Sequence, residues 1–188
     1  MKFISKILCA SIILIGLTHL SMAQGKYFTR NGNINFYCDG SAEKIEAANR
    51  KVSCVLDAVT GSIEFGALMQ AFEFEKALMQ EHFNENYVES EKYPKAIFKG
   101  TITDNAKVKY TANGTYKVNV TGQLTLHGVT NNVSAPGTIT IKDGKLTAAS
   151  EFKILLADYK IEIPTLVADK ITKEVRIVVN TLMDPLNK

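Results

Sequence analysis

Between Tyr116 and His127 the chain alternates without a break: Tyr116, Val118, Val120, Gly122, Leu124 and Leu126 fall on one side, Lys117, Asn119, Thr121, Gln123, Thr125 and His127 on the other. A repeat of two belongs to a strand, whose successive side chains point to opposite faces, so this segment reads as a strand with one dry and one wet face. The pattern returns at Val133, Ala135, Gly137, Ile139 and Ile141, then at Leu146, Ala148, Ser150, Phe152, Ile154 and Leu156, and again at Val175, Ile177, Val179, Thr181 and Met183. Shorter candidates are Ile34 to Cys38, Lys51 to Leu56, Ser62 to Phe65 with a continuation toward Phe74, and Ala96 to Thr103. Together they make about eight strands.

Asp143-Gly144 is a strong hairpin signal, and Thr60-Gly61 and Asn113-Gly114 supply further turns, so most connections are antiparallel. Many amphipathic strands without alternating helices favour a closed barrel, which removes exposed sheet edges, with a β-sandwich as the competing architecture. A barrel of eight strands is wide enough either to be filled by side chains or to hold one small ligand. Gly100, Gly122, Ala135, Gly137, Ala148 and Ser150 fall on the inward faces, and the chain has no tryptophan to fill the space beside them. An apolar cavity follows, unless the glycines only relieve strand bends. The expected lumen is lined by Phe36, Leu56, Phe65, Phe83, Phe98, Val120, Gly122, Leu124, Ala135, Ile139, Phe152, Ile154 and Val179. On this reading a leucine at 122 fills the lumen and leaves the fold intact.

The N-terminus carries Lys2 and Lys6, an apolar run from Ile7 to Leu17, and small residues at Ser21 and Ala23. Those three regions describe a secretory signal over residues 1–23, and the apolar run is too short for a membrane-spanning helix. Residues 24–188 then form a single domain with no linker or internal repeat, in the periplasm or secreted, and not membrane-spanning. Losing Lys2 and Lys6 takes the basic residues from 22 to 20 against 19 acids, and with no basic face nucleic acid is excluded as a partner. Cys38 and Cys54 both share the alternation of inward residues; whether they bridge stays open, because pairing β-strands through a loop at 40–48 sets Cys38 nearer Arg50 than Cys54. Ser41-Ala42-Glu43 before Ile45-Glu46-Ala47 suggests one capped helical turn in that loop.

Residues Glu75 to Glu89 lack proline and glycine and favour helix. Leu78, Met79, Phe83 and Tyr87 form an apolar stripe toward the barrel, leaving Glu81, Glu85 and Glu89 in water and His82 with a structural hydrogen bond. Two histidines, His82 and His127, do not make the three or four converging ligands of a metal site. Nucleophile turns, phosphate loops and zinc spacings are absent, so no catalytic residue, metal or cofactor is assigned.

Three stretches in this order carry a family resemblance: HFNENYVESEKYPKAIFKG at 82–100, GQLTLHGVT at 122–130 and DYKIEIP at 158–164. The chain resembles the YceI-like family of bacterial lipid-binding proteins, its motif positions falling on Tyr93, Pro94, Phe98, Leu124, His127, Gly128 and Thr130. The resemblance implies a lipocalin-like, eight-stranded antiparallel β-barrel with a short helical lid. It also implies a non-enzymatic, periplasmic or secreted protein whose lumen takes a polyisoprenoid or other long-chain lipid, for sequestration or transport. His82 and His127 then stand at the rim, His127 bonding within a turn. The competing functions are a small-substrate enzyme at the barrel mouth using His82, and a stress-related protein-interaction module.

Overall fold

The computed structural model describes residues 25–39, 44–163 and 172–186, so the signal reading at 1–23 and the capped turn at 41–43 lie outside the described residues. Nine strands follow in order: β1 (Lys26–Asp39), β2 (Lys44–Asp57), β3 (Ser62–Leu68), β4 (Glu73–Phe74), β5 (Lys95–Ile102), β6 (Gly114–Leu126), β7 (Val129–Lys142), β8 (Lys145–Leu155) and β9 (Glu174–Pro185). Neighbours run β1-β9-β8-β7-β6-β5-β3-β2, every pair is antiparallel, and β1 also pairs with β2, which closes eight strands into a barrel. The closure removes the sandwich alternative. The two-residue β4 hangs outside the ring on β2.

Tight turns form where the sequence places them. Asp143 and Gly144 both take positive φ (51° and 78°), the backbone that matches the twist of a two-residue hairpin. His127 and Gly128 do the same (50° and 74°), so His127 is the first turn residue between β6 and β7 and not the last residue of a strand. β1 and β2 are longer than their alternation suggests, because register shifts at Thr29/Gly32 and Gly32/Ile34 break the pattern. Ile45-Glu46-Ala47 belongs to β2, not to a helical turn. Cys38 accordingly faces Ile45 and Cys54 faces Thr29; both thiols are free and buried.

The segment after β3 differs from the expected amphipathic helix. A 3-10 turn (Met69–Ala71) leads to β4, then the short helix α1 (Ala77–His82) runs directly into a π turn (Phe83–Tyr87). Phe83 and Tyr87 pack on the barrel, but Leu78 is 60% exposed and faces solvent. One turn of α-helix followed by a wider turn rotates the apolar face, so Phe83, Tyr87 and buried Val88 point down while Leu78 does not.

Two packed clusters divide the interior by height. The closed end holds Leu56, Ile102, Ile141, Leu146 and Met183, each 3% exposed or less. The other end, under the lid segment, holds Cys38, Met69, Phe72, Val88, Leu124, Ile154, Tyr159 and Ile161. Asn49 also faces inward at 0% exposure, and it is satisfied: its Nδ2 donates to the Leu68 carbonyl (2.9 Å) and its Oδ1 accepts from the Lys51 N–H (2.9 Å).

Gly122 tests the packing directly. It pairs with Gly100 on β5, and a Cβ at 122 would collide with the Lys99 carbonyl oxygen, lie 2.5 Å from the Gly100 Cα and 2.8 Å from the Phe98 ring. The expectation that leucine fits there is overturned: β5 and β6 approach too closely for any side chain. Gly122→Leu should lose at least the ~3 kcal/mol at the top of the overpacking range, and Gly122→Ala should already be destabilised, both read from chemical unfolding curves. Burial pushes the Cys54 thiol far up from its ordinary value. Both cysteines should therefore resist a polar thiol reagent in the folded protein and label only on unfolding.

Candidate functional site

The half of the barrel under the lid encloses a cavity of about 190 Å³. A site of this size has room for several times the ~10–15 Å³ that one water needs, but a water also needs two to four polar partners. The lining scarcely provides them. Only Thr138 and Ser150 bring a side-chain oxygen, and the Ser150 hydroxyl already donates to the Pro136 carbonyl at 2.7 Å. The cavity therefore suits a hydrocarbon and disfavours water or charge.

Of the residues assigned to the lumen from sequence, Phe36, Phe65, Phe83, Phe98, Val120, Leu124, Ala135, Ile139, Phe152, Ile154 and Val179 line the cavity. Leu56 does not, because it is sealed at 0% exposure in the closed end, and Gly122 does not, because it is pressed against β5. The space comes instead from Ala67, Ala96, Ala135, Gly137, Ala148 and Ser150. Met69, Phe72, Val88 and Ile161 line it as well and were missed, since they lie in turns and connections where no period of two applies. Phe83 caps the lid end: its ring stacks on Phe36 (5.4 Å between centroids) and meets Phe74 (5.0 Å) and Phe72 (5.9 Å).

The two histidines part company. His82 is exposed on α1, makes no side-chain hydrogen bond among the described residues, and does not line the cavity. His127 is held at the rim by three groups: its Nδ1 lies 3.0 Å from the Tyr159 carbonyl oxygen, its Nε2 lies 2.7 Å from Glu89 Oε2, and its ring meets Tyr93 edge-on at 4.6 Å. The ring is bracketed by a carbonyl and a carboxylate, both acceptors, and the bond to the Glu89 carboxylate is charge-assisted. This latch joins the lid segment, the β6–β7 turn and the segment after β8. Glu89, expected in open water, is bent into it with a left-handed φ of 44°. Among the described residues no three His, Cys, Asp or Glu side chains converge as a metal site.

The hydrogen bond from His127 holds the Glu89 carboxyl below its ordinary range, with Lys92 at 3.6 Å adding to the effect. A depressed carboxylate stabilises the fold above its unfolded pKa and loses that contribution as pH falls through its lower, folded value. The melting temperature should therefore fall on acidification below the ordinary glutamate range of ~4.3. Glu89→Gln should lower the melting temperature at neutral pH, where the contribution is fully present, and flatten the acid limb, measured by thermal melts across pH.

Comparison with known proteins agrees with this architecture. Solved structures with the same fold include a polyisoprenoid binding domain from Saccharophagus degradans implicated in plant cell wall breakdown, with a TM-score of 0.75 and 14% identity over 86% of this chain and 99% of that one. BcnA of Burkholderia cenocepacia follows at a TM-score of 0.67 and 19% identity, covering 81% of this chain and 95% of that one. A YceI protein of Campylobacter jejuni matches at a TM-score of 0.52 and 20% identity, covering 71% and 82%. No curated protein matches the chain. The family described as YceI-like domain matches residues 18–182, which is most of the chain. With its barrel closed and its lumen apolar, the protein belongs to the YceI-like domain family.

Proposed function

We propose that this protein is a periplasmic or secreted carrier, a single domain left after cleavage of residues 1–23, that holds a long apolar ligand such as a polyisoprenoid in its lumen for sequestration or transport. One observation carries the reading: a cavity of about 190 Å³ whose lining is hydrocarbon except at Thr138 and Ser150. Burial of apolar surface gains roughly 25 cal/mol per Å², so a chain occupying this space binds with few polar contacts and is selected by the shape of the lumen. The binding of polyisoprenoid by the Saccharophagus domain supports the ligand class. Catalysis has no comparable support, because His82 stands outside the cavity on the solvent face of α1.

The test is the lumen volume. Ala135 is 6% exposed and lines the cavity, so Ala135→Leu places new atoms where the ligand chain lies. Affinity for farnesol should fall at least about tenfold, equivalent to ~1.4 kcal/mol, while the fold loses no more than the ~1–3 kcal/mol of overpacking. Solvent extraction and mass spectrometry of protein from its native compartment should return a long-chain lipid. Empty extracts together with no binding of farnesol or longer isoprenoid alcohols by the parent protein would overturn the proposal.

A further inference from the structure

The barrel wall is not equally sewn. β6 and β7 are paired along their whole length, from Gly114↔Ile141 to Leu126↔Val129, and β8 and β9 from Leu146↔Met183 to Leu155↔Glu174. The β7–β8 ladder between them runs only from Lys142↔Lys145 to Gly137↔Ser150 and then stops. Above that pair the two strands fork: among the described residues β7 continues from Pro136 to Val129 paired with β6 alone, and β8 from Glu151 to Leu155 with β9 alone. A strap closes the fork at the top. It is the 3-10 turn Leu156–Tyr159 with Ile161, tied to β7 by Asn131 Nδ2 donating to the Asp158 carbonyl (2.6 Å) and to the β6–β7 turn by His127.

The result is a framed window in the wall, and the cavity reaches it. Val133 and Ala135 on the β7 side of the fork and Phe152 and Ile154 on the β8 side all line the cavity, so the unpaired stretch is part of its wall. The local chemistry fits an opening. Pro136 has no N–H to offer a β8 partner, and it stands exposed at the first position where pairing is lost. The end of the lumen under the lid is better sealed, since Phe83 is stacked among Phe36, Phe72 and Phe74 and the latch pins the segment behind it.

We propose that the apolar ligand enters and leaves sideways, through the window between β7 and β8, and not through the end covered by α1. The inference rests on the lumen being the ligand site. A portal differs from a binding surface in its kinetics: obstructing it slows entry and exit together and leaves the equilibrium constant near its parent value.

The experiment obstructs each route separately in the chain from Gln24 onward, which lacks Cys9. Ser134 is exposed on the outer face of β7 beside the window, and Glu81 is exposed on α1. Ser134→Cys and Glu81→Cys are each coupled to a polyethylene glycol maleimide, which modifies the new thiol selectively because Cys38 and Cys54 are buried. Exchange of a dansylated farnesol is followed by fluorescence. The label at 134 should lower both the association and dissociation rates at least about tenfold with little change in Kd, and the label at 81 should leave both near the parent rates. Slowing by the label at 81 alone, or by neither label, overturns the window. If the unlabelled parent binds no isoprenoid alcohol, the lumen reading itself falls, a result distinct from normal binding with unaltered kinetics.

Discussion

Strand β1 pairs along both edges, with β9 on one side and β2 on the other, and so turns an open antiparallel sheet into a closed ring. Closure forces the strand to bend. The bend falls at Gly32, between two register shifts, where a Cβ would sit 2.9 Å from Thr181 Cγ2 and 3.0 Å from the Val52 carbonyl oxygen. Everything inside depends on this joint, because closing the ring fixes the circumference and hence the volume that inward side chains must fill. Without it β1 and β2 would expose long edges and the interior would be open to water.

The ring is filled at only one end. In the closed half, residues of matched size interlock: Leu56, Ile102, Leu146 and Met183 leave no exposed surface worth the name. Toward the lid the inward positions fall to alanine, glycine and serine on β3, β5, β7 and β8, so the same circumference leaves a void. A void of that size is costly in a structural core, since lining atoms lose their partners on one side. Its retention in a well-closed barrel is the physical sign of a site that is completed by something else. Phe65 and Phe98, packed against both clusters, mark where the filled half gives way to the open one.

Much of this was written in the period-two alternation, and the exceptions have identifiable causes. β6, β7, β8 and β9 were legible because each presents an unbroken apolar face to a buried interior. The first half of β1 was not, because its bulges displace the alternation, and the start of β2 was not, because its inward residues are Ile45, Ala47 and the polar Asn49. Of the small inward residues, those at 135, 137, 148 and 150 line the cavity and those at 100 and 122 do not, since sequence cannot say whether a glycine faces a void or another strand's backbone. The Glu89–His127 pair was invisible for a simpler reason. It joins residues 38 apart through a left-handed backbone at both positions, which neither the strand alternation ending at His127 nor the helical pattern ending at Glu89 signals.

Forking β7 from β8 also has an energetic logic. Backbone groups released from a ladder must find other partners or face water, and each one left buried and unpaired costs about as much as a lost hydrogen bond. The fork limits that cost with the chemistry to hand: Pro136 brings no donor, its carbonyl accepts from the Ser150 hydroxyl, and Asn131 reaches across to the strap. Such compensation is needed only if the gap is worth keeping, because continuing the ladder to Val129 would satisfy the same groups without special residues. The strap uses a second device. Tyr159 is 2% exposed and Ile161 5%, so the segment is anchored by burial even though it lies outside any ladder. Between a rigid crotch at Gly137↔Ser150 and an anchored strap, the walls of the gap are held among the described residues by one neighbour instead of two, and they open more readily than the doubly paired wall.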